Sequence, residues 1–197
     1  TILRFYQKGA ASDLLIVTNP ECLHLVKSQA KAIDPLLENR VLVEPVRRNT
    51  GPAIVYAVKY LLDREGVSET ETILITPSDQ LIQNPEQFAE LVKKADLLAQ
   101  GGAIVTFGVV PDKPETGYGY LEVKLDEEAA IHRVERFVEK PSVEVARGYV
   151  ESGNYLWNSG IFGFTARTLF DEIMEVAPEL MVAGQLNFEE LHDQFSG

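Results

Sequence analysis

Val41-Leu42-Val43-Glu44-Pro45-Val46-Arg47-Arg48-Asn49-Thr50-Gly51-Pro52-Ala53-Ile54 is the stretch that decides the fold. Three apolar residues read as a short buried strand, and the polar run from Glu44 to Thr50 reads as a loop. A helix then opens near Pro52, because Ile54, Ala57, Val58, Leu61 and Leu62 recur at helical spacing. The same strand–loop–helix unit recurs on both sides. Leu14–Thr18 is an apolar run, followed by Asn19-Pro20, a helix-opening pair, and by Leu23, Val26, Ala30 and Ile33 at helical spacing. Thr72–Thr76 is a strand before the loop Pro77-Ser78-Asp79-Gln80, and Asn84-Pro85 opens a helix with the stripe Phe88, Leu91, Val92, Ala95 and Leu98. Ala103–Val109 is a fourth apolar strand. Repeated units of this kind imply a parallel sheet covered on both faces and a doubly wound topology.

Beyond Val110 the pattern changes. Pro111–Gly119 holds two prolines and two glycines, so it is a loop. Tyr120–Leu125 and Ile131–Glu139 alternate apolar and polar residues, as half-exposed strands do. A helix over Val143–Ser152, a strand near Gly160–Thr165, a helix from Ala166 and a capping box at Asn187-Phe188-Glu189-Glu190 complete the reading. The predicted architecture is α/β: a Rossmann-like, doubly wound, mostly parallel sheet with a mixed or antiparallel extension. It is expected to be a single domain, residues 1–110 forming a nucleotide-binding half and residues 111–197 a sugar-binding half.

Composition narrows the function. The 197 residues carry 18 Lys+Arg against 30 Asp+Glu, a net charge of −12, with 45% hydrophobic and 24% charged residues. That is globular composition, and its acidity argues against nucleic acid or an anionic membrane as partner. An anionic ligand would need local cations, backbone N–H groups or a metal ion. No apolar run approaches the ~20 residues of a membrane span. No secretory signal is present, and the single cysteine, Cys22, has no internal partner, so a cytoplasmic location is expected. The first residue is Thr1, not Met. His24, His132 and His192 are dispersed without zinc-site spacing, and no P-loop or nucleophile-elbow motif occurs.

Open α/β sheets bind ligands beyond the carboxyl ends of their strands. Three polar segments fall there: Glu44–Thr50, Pro77–Gln80 and Pro111–Gly119. Glu44 suits a base pocket, since a carboxylate accepts the paired N–H donors of guanine; the plain alternative is a solvated loop with Asn49 or Thr50 capping the next helix. Asp79 suits a magnesium ligand, because Mg²⁺ takes one or two carboxylates and fills its shell with water and phosphate; the alternative is a turn aspartate. Thr116-Gly117-Tyr118-Gly119-Tyr120 permits close approach of backbone to a ligand, or is simply a turn. Glu139-Lys140-Pro141 ends a strand with an acid and a base on opposite faces, which makes a mutual ion pair unexpected and suits a hydroxyl and a phosphate, or else is a charged strand end. Trp157 reads as a core aromatic, with Asn158 facing a sugar hydroxyl.

Six motifs occur in order: Glu-Pro-x-x-Arg-Asn-Thr-x-Pro-Ala at Glu44–Ala53, Thr-Pro-Ser-Asp at Thr76–Asp79, Thr-Phe-Gly-x-x-Pro at Thr106–Pro111, Pro-Glu-Thr-Gly-Tyr-Gly-Tyr at Pro114–Tyr120, Phe-Val-Glu-Lys-Pro at Phe137–Pro141 and Leu-Trp-Asn-Ser-Gly at Leu156–Gly160. Over Val41–Ile173 the chain resembles the bacterial mannose-1-phosphate guanylyltransferases, a family of sugar nucleotidyltransferases. The resemblance implies in-line attack of mannose-1-phosphate on the α-phosphorus of GTP, giving GDP-mannose and pyrophosphate, with Mg²⁺ as cofactor. It implies that Glu44, Asn49 and Thr50 lie at the guanine and that Pro52 and Ala53 shape its pocket. Asp79 would hold Mg²⁺. Tyr118, Gly119, Glu139 and Asn158 would bind mannose, and Lys140 its phosphate.

The chain departs from that pattern in three places. The family reads Pro-Ala-Asp-His where Thr-Pro-Ser-Asp stands here. The family's glycine-rich loop with its Arg and Pro-Lys pair, and its second metal-binding Asp, have no counterpart in these 197 residues. The expectation is therefore a catalytic domain incomplete at both ends and without turnover by itself. A non-catalytic nucleotide-sugar-binding module and a transferase for another sugar-1-phosphate stay open as alternatives, and a homodimer is compatible with all three.

Overall fold

The computed structural model describes residues 13–46, 50–124, 130–177 and 186–196. They fall into two compact units, one ending at Val105 and resuming at Gly163, the other spanning Thr106–Phe162.

The first unit begins with β1 (Ile16–Thr18), α1 (Leu23–Ile33), a 3₁₀ turn (Pro35–Asn39) and β2 (Val41–Val43), with β1 and β2 paired in parallel, Val17 opposite Leu42. Helix α1 starts later than Asn19-Pro20 predicts. Asn19 does cap, its Oδ1 accepting from Cys22 N–H at 3.0 Å, but the turn it closes precedes the helix, and Cys22 becomes the N-cap. Arg40, at the entrance to β2, gathers three acceptors: the Leu14 carbonyl at 3.0 Å, Glu65 at 2.7 Å and Asp13 at 2.6 Å. Its guanidinium, foremost, and then the Tyr60 hydroxyl hold the Glu65 carboxyl below the usual glutamate range.

Helix α2 (Thr50–Asp63) follows, then β3 (Thr72–Ile75) and α3 (Pro85–Gln100), which Asn84 caps through Gln87 N–H at 3.1 Å. The unit's core joins Leu42 of β2, Val55, Tyr56 and Ala57 of α2, and Leu191. Burying a leucine or valine side chain such as Leu42, Val55 or Leu191 stabilises by roughly 1.5–3 kcal/mol. Leu191 lies on the last helix, α6 (Phe188–Ser196), which is opened by the expected capping box. Asn187 N–H donates to Glu190 Oε2 at 2.9 Å, and Glu190 N–H donates to Asn187 Oδ1 at 3.0 Å. A donation from Phe188 N–H to Asp63 Oδ2 at 2.8 Å and an Arg64–Glu189 ion pair tie α6 to the end of α2.

The second unit is an antiparallel sheet. β5 (Tyr120–Val123) lies between β6 (Val134–Val138) and β7 (Tyr155–Thr165), with Tyr120 opposite both Val138 and Trp157. β4 (Val105–Val109) also pairs with β7, and Gly108 marks where Leu156 crosses it: a Cβ there would meet the leucine at 2.6 Å. The apolar strand expected over Ala103–Val109 begins at Val105, and its last residue, Val109, is half-exposed. Helix α4 (Val143–Ser152) has its predicted bounds, set by the Ser142 cap and by Gly153 at φ +70°. Tyr149 of α4 stacks on Tyr155 with ring centroids 3.8 Å apart.

β7 starts five residues before the predicted Gly160. Asn158 and Ser159 look like loop residues, yet each turns its side chain back onto the strand, Asn158 Oδ1 accepting from Gly160 N–H and Ser159 Oγ from Ile161 N–H, both at 3.2 Å. The last three residues of β7 return to the first unit, where Gly163 lies beside Leu74 of β3 and Ala95 of α3. Helix α5 (Ala166–Val176) follows directly, capped by Thr165 through Thr168 N–H at 3.1 Å.

Candidate active site

In the first unit, Glu44 stands one residue past β2 and extends its ladder, the N–H donating to Thr18 O at 2.8 Å. It is 8% exposed, one of three buried polar or charged side chains among the described residues. Glu44 is thus a carboxylate held buried at the carboxyl end of a strand, a placement that requires hydrogen-bond donors around it. Thr50, Pro52 and Ala53 form the first turn of α2, six residues further on. Asn49 lies outside the described residues, as do Arg47 and Arg48.

Tyr56, not singled out by sequence, is the neighbour of this position. Its hydroxyl lies 2.6 Å from His192 Nδ1 and 3.3 Å from the Val43 carbonyl. Burial, and then the Glu44 carboxylate, push the phenol up to about 12. A hollow of about 350 Å³ opens beside it, lined by Val43, Tyr56, Phe188 and His192 among others.

The sign of that shift makes a prediction. A phenol whose folded value is raised adds stability that is whole below its unfolded value of about 10 and disappears as pH rises towards about 12. Denaturant unfolding followed across that range is expected to show a loss that Tyr56→Phe reduces. An unchanged alkaline limb in the variant would contradict the assignment.

Asp79 follows β3 and is exposed. Among the described residues it makes no ion pair, and no group of three or more His, Cys, Asp and Glu side chains is placed to hold a metal ion. A lone carboxylate of this kind fits Mg²⁺, which takes the rest of its shell from water and phosphate; it does not fit a closed all-protein cage.

The second unit holds the residues expected at the sugar. Gly119 receives the main chain of Asn158, whose N–H donates to the Gly119 carbonyl at 2.8 Å. On its other side the space of a missing Cβ is taken: an added methyl would stand 2.7 Å from Phe137 Cζ and 3.0 Å from Glu139 Oε2. Tyr118, 49% exposed, meets Trp157 edge to face at 5.3 Å. Trp157 packs against the Tyr120, Ala146 and Tyr155 cluster, as a core aromatic should. The loop before Gly119 is held by Glu115, whose carboxylate accepts from Gly117 N–H at 3.1 Å and whose carbonyl accepts from the Tyr120 hydroxyl at 2.9 Å. That Gly117 contact, foremost, lowers the Glu115 carboxyl from its usual value.

Lys140 departs from expectation. Its ammonium pairs with Glu139 at 3.2 Å, although alternation along a strand would separate them. The reason is local: β6 stops at Val138, and Lys140 adopts φ +41°, the one positive φ among described non-glycine residues. Its position before Pro141 makes that conformation less comfortable still. Both side chains are exposed, so the pair itself adds little stability.

The profile of the family described as Nucleotidyl transferase matches residues 2–195. The chain belongs to the nucleotidyl transferase family. It is 41% identical over 169 residues to a mannose-1-phosphate guanylyltransferase of Sinorhizobium fredii, covering 86% of this chain and 32% of that protein. It is 37% identical over 173 residues to the Escherichia coli K12 protein of that name, covering 86% and 36%. The chain thus spans about a third of the curated relatives it matches. Among solved structures, a Helicobacter pylori protein named mannose-6-phosphate isomerase superposes with a TM-score of 0.79 at 32% identity, covering 95% of this chain and 68% of that one. A Thermus thermophilus protein named mannose-1-phosphate geranyltransferase gives 0.75 at 29%, covering 91% and 52%. The fold of this nucleotidyl transferase is accordingly the α/β nucleotide-sugar transferase type with parallel and antiparallel pairings. No described helix is long and apolar enough to cross a membrane.

Proposed function

We propose that this nucleotidyl transferase domain serves the transfer of a guanylyl group from GTP to mannose-1-phosphate, giving GDP-mannose and pyrophosphate, in the cytoplasm. The observation that carries the sugar side is the closure around Gly119, where the Asn158 main-chain N–H holds the Gly119 carbonyl and the Phe137 ring and Glu139 carboxylate occupy the space a side chain would need. A glycine backbone with the Glu139 carboxylate against it, on the strand pairing that also carries Asn158, suits a polyhydroxylated ligand. Glu139 accepts from one hydroxyl, and Lys140 leaves Glu139 to meet the sugar phosphate. Glu44 accepts from guanine, Thr50 lies at the base beside it, and Pro52 and Ala53 shape the pocket.

In the reaction a phosphate oxygen of mannose-1-phosphate attacks the α-phosphorus of GTP. The bond to the β-phosphate breaks, and pyrophosphate leaves with the electron pair. No covalent enzyme intermediate is required, so the protein contributes positioning and charge neutralisation. Asp79 holds Mg²⁺, which when bound supplies positive charge to the phosphates.

The base assignment is tested in the complete open reading frame. Glu44→Gln keeps the shape but replaces one acceptor oxygen by a donor. It is expected to raise the GTP KM by about ten- to a hundredfold, in keeping with one bidentate base contact. ITP, which lacks the 2-amino group, is expected to suffer much less. Equal losses for the two nucleotides would make Glu44 a buried loop residue without a role at the base.

A further inference from the structure

The polarity of the Asn158 amide is decided by the backbone. Its side-chain oxygen lies 3.2 Å from Gly160 N–H and 2.9 Å from the Thr106 hydroxyl. A backbone N–H only donates, so the atom facing Gly160 is Oδ1 and not Nδ2. The Thr106 hydroxyl is then the only donor between two acceptors, Asn158 Oδ1 at 2.9 Å and the Ile161 carbonyl at 3.1 Å, and its single proton is shared between them with the shorter approach to Oδ1. With Oδ1 engaged twice, what Asn158 offers a ligand is the pair of N–H donors on Nδ2. Its main chain is fixed independently through Gly119. Thr106 stands on β4, 52 residues away in sequence, and belongs to the one motif for which the proposed reaction gives no task.

We infer that Thr106 is a positioning residue of the sugar site, its hydroxyl setting the Asn158 amide so that Nδ2 donates to a ligand hydroxyl. The site then recognises a sugar through one hydroxyl used as acceptor, at Asn158, and another used as donor, at Glu139. A deoxy sugar phosphate lacking either would lose one contact. The inference rests on the assignment of this unit to the sugar phosphate, and the test separates the two.

The variants are Thr106→Val, which removes the hydroxyl while keeping the β-branched shape, and Thr106→Ser, which keeps the hydroxyl. Both are made in the complete open reading frame, with Asn158→Ala and the Thr106→Val/Asn158→Ala double variant. Thr106→Val is expected to raise the mannose-1-phosphate KM about tenfold, the weight of one orienting hydrogen bond. The GTP KM should hold, and Thr106→Ser should restore the wild-type value. In the Asn158→Ala background, Thr106→Val should add nothing, since its effect passes through that amide. If Asn158→Ala raises the sugar-phosphate KM and Thr106→Val does not, the inference is overturned while the sugar-site assignment stands. If neither variant changes it, the sugar-site assignment itself fails. If Thr106→Val raises both substrates' KM values and lowers Tm, and Thr106→Ser does not restore them, Thr106 is a fold residue and the inference is overturned.

Discussion

A Gly119→Ala variant is expected to lose turnover with mannose-1-phosphate by about a hundredfold, the scale of an ångström-size misplacement at a reacting centre. The added methyl would stand 2.7 Å from Phe137 Cζ and 3.0 Å from Glu139 Oε2, so something must move. Phe137 is half-exposed, and the tip of its ring can swing outward. The fold therefore survives, and the displacement falls on Glu139 and on the Gly119 carbonyl that holds Asn158. GTP binding, assigned to the first unit, should be unchanged. Steady-state kinetics beside calorimetric GTP binding check this, and a wild-type sugar-phosphate KM with wild-type kcat would contradict it.

Asp79→Asn is the second large effect. The change removes one negative charge and almost no volume from an exposed position after β3. A hard cation binds a neutral amide oxygen far less well than a carboxylate, and metal charge stabilisation amounts to several kcal/mol in such reactions. We expect kcat to fall by about a hundredfold or more at limiting Mg²⁺ and to recover partly as Mg²⁺ is raised. Binding of mannose-1-phosphate measured without GTP should stay within about twofold, because its contacts lie elsewhere. Full activity of the variant at limiting Mg²⁺ would remove Asp79 from the metal.

What was legible in sequence follows from how local each determinant is. Helix α4 was readable to the residue because both ends are signalled within a few positions, by the Ser142 cap and by Gly153 in the left-handed region. The capping box at Asn187 and Glu190 is equally local. β7 was read short because Asn158 and Ser159 are turn formers by habit; here they satisfy their own strand, two residues ahead. The Glu139–Lys140 pair was misread for a similar reason: alternation holds only while the strand lasts, and it ends at Val138.

Glu44, Asp79, Gly119 and Asn158 were legible as candidates because a motif carried each of them. Contacts between distant positions left no mark, even where, as at Thr106, the residue itself stands in a motif. Tyr56 meets His192 across 136 positions and Thr106 meets Asn158 across 52. Nothing in the periodicity of α2 separates Tyr56 from the core residues around it.

The account stands or falls on which pair of substrates releases pyrophosphate. The protein of the complete open reading frame, purified and supplied with Mg²⁺, would be offered each of GTP, ATP, UTP and CTP with mannose-1-phosphate, and GTP with glucose-1-phosphate and galactose-1-phosphate. The account predicts release with GTP and mannose-1-phosphate at a kcat/KM at least about tenfold above every other pair, the value of a single bidentate contact at the base or of one hydroxyl contact at the sugar. Equal or faster release with another nucleotide would remove Glu44 from the base. No release with any pair would leave a nucleotide-sugar-binding protein and contradict the proposed reaction.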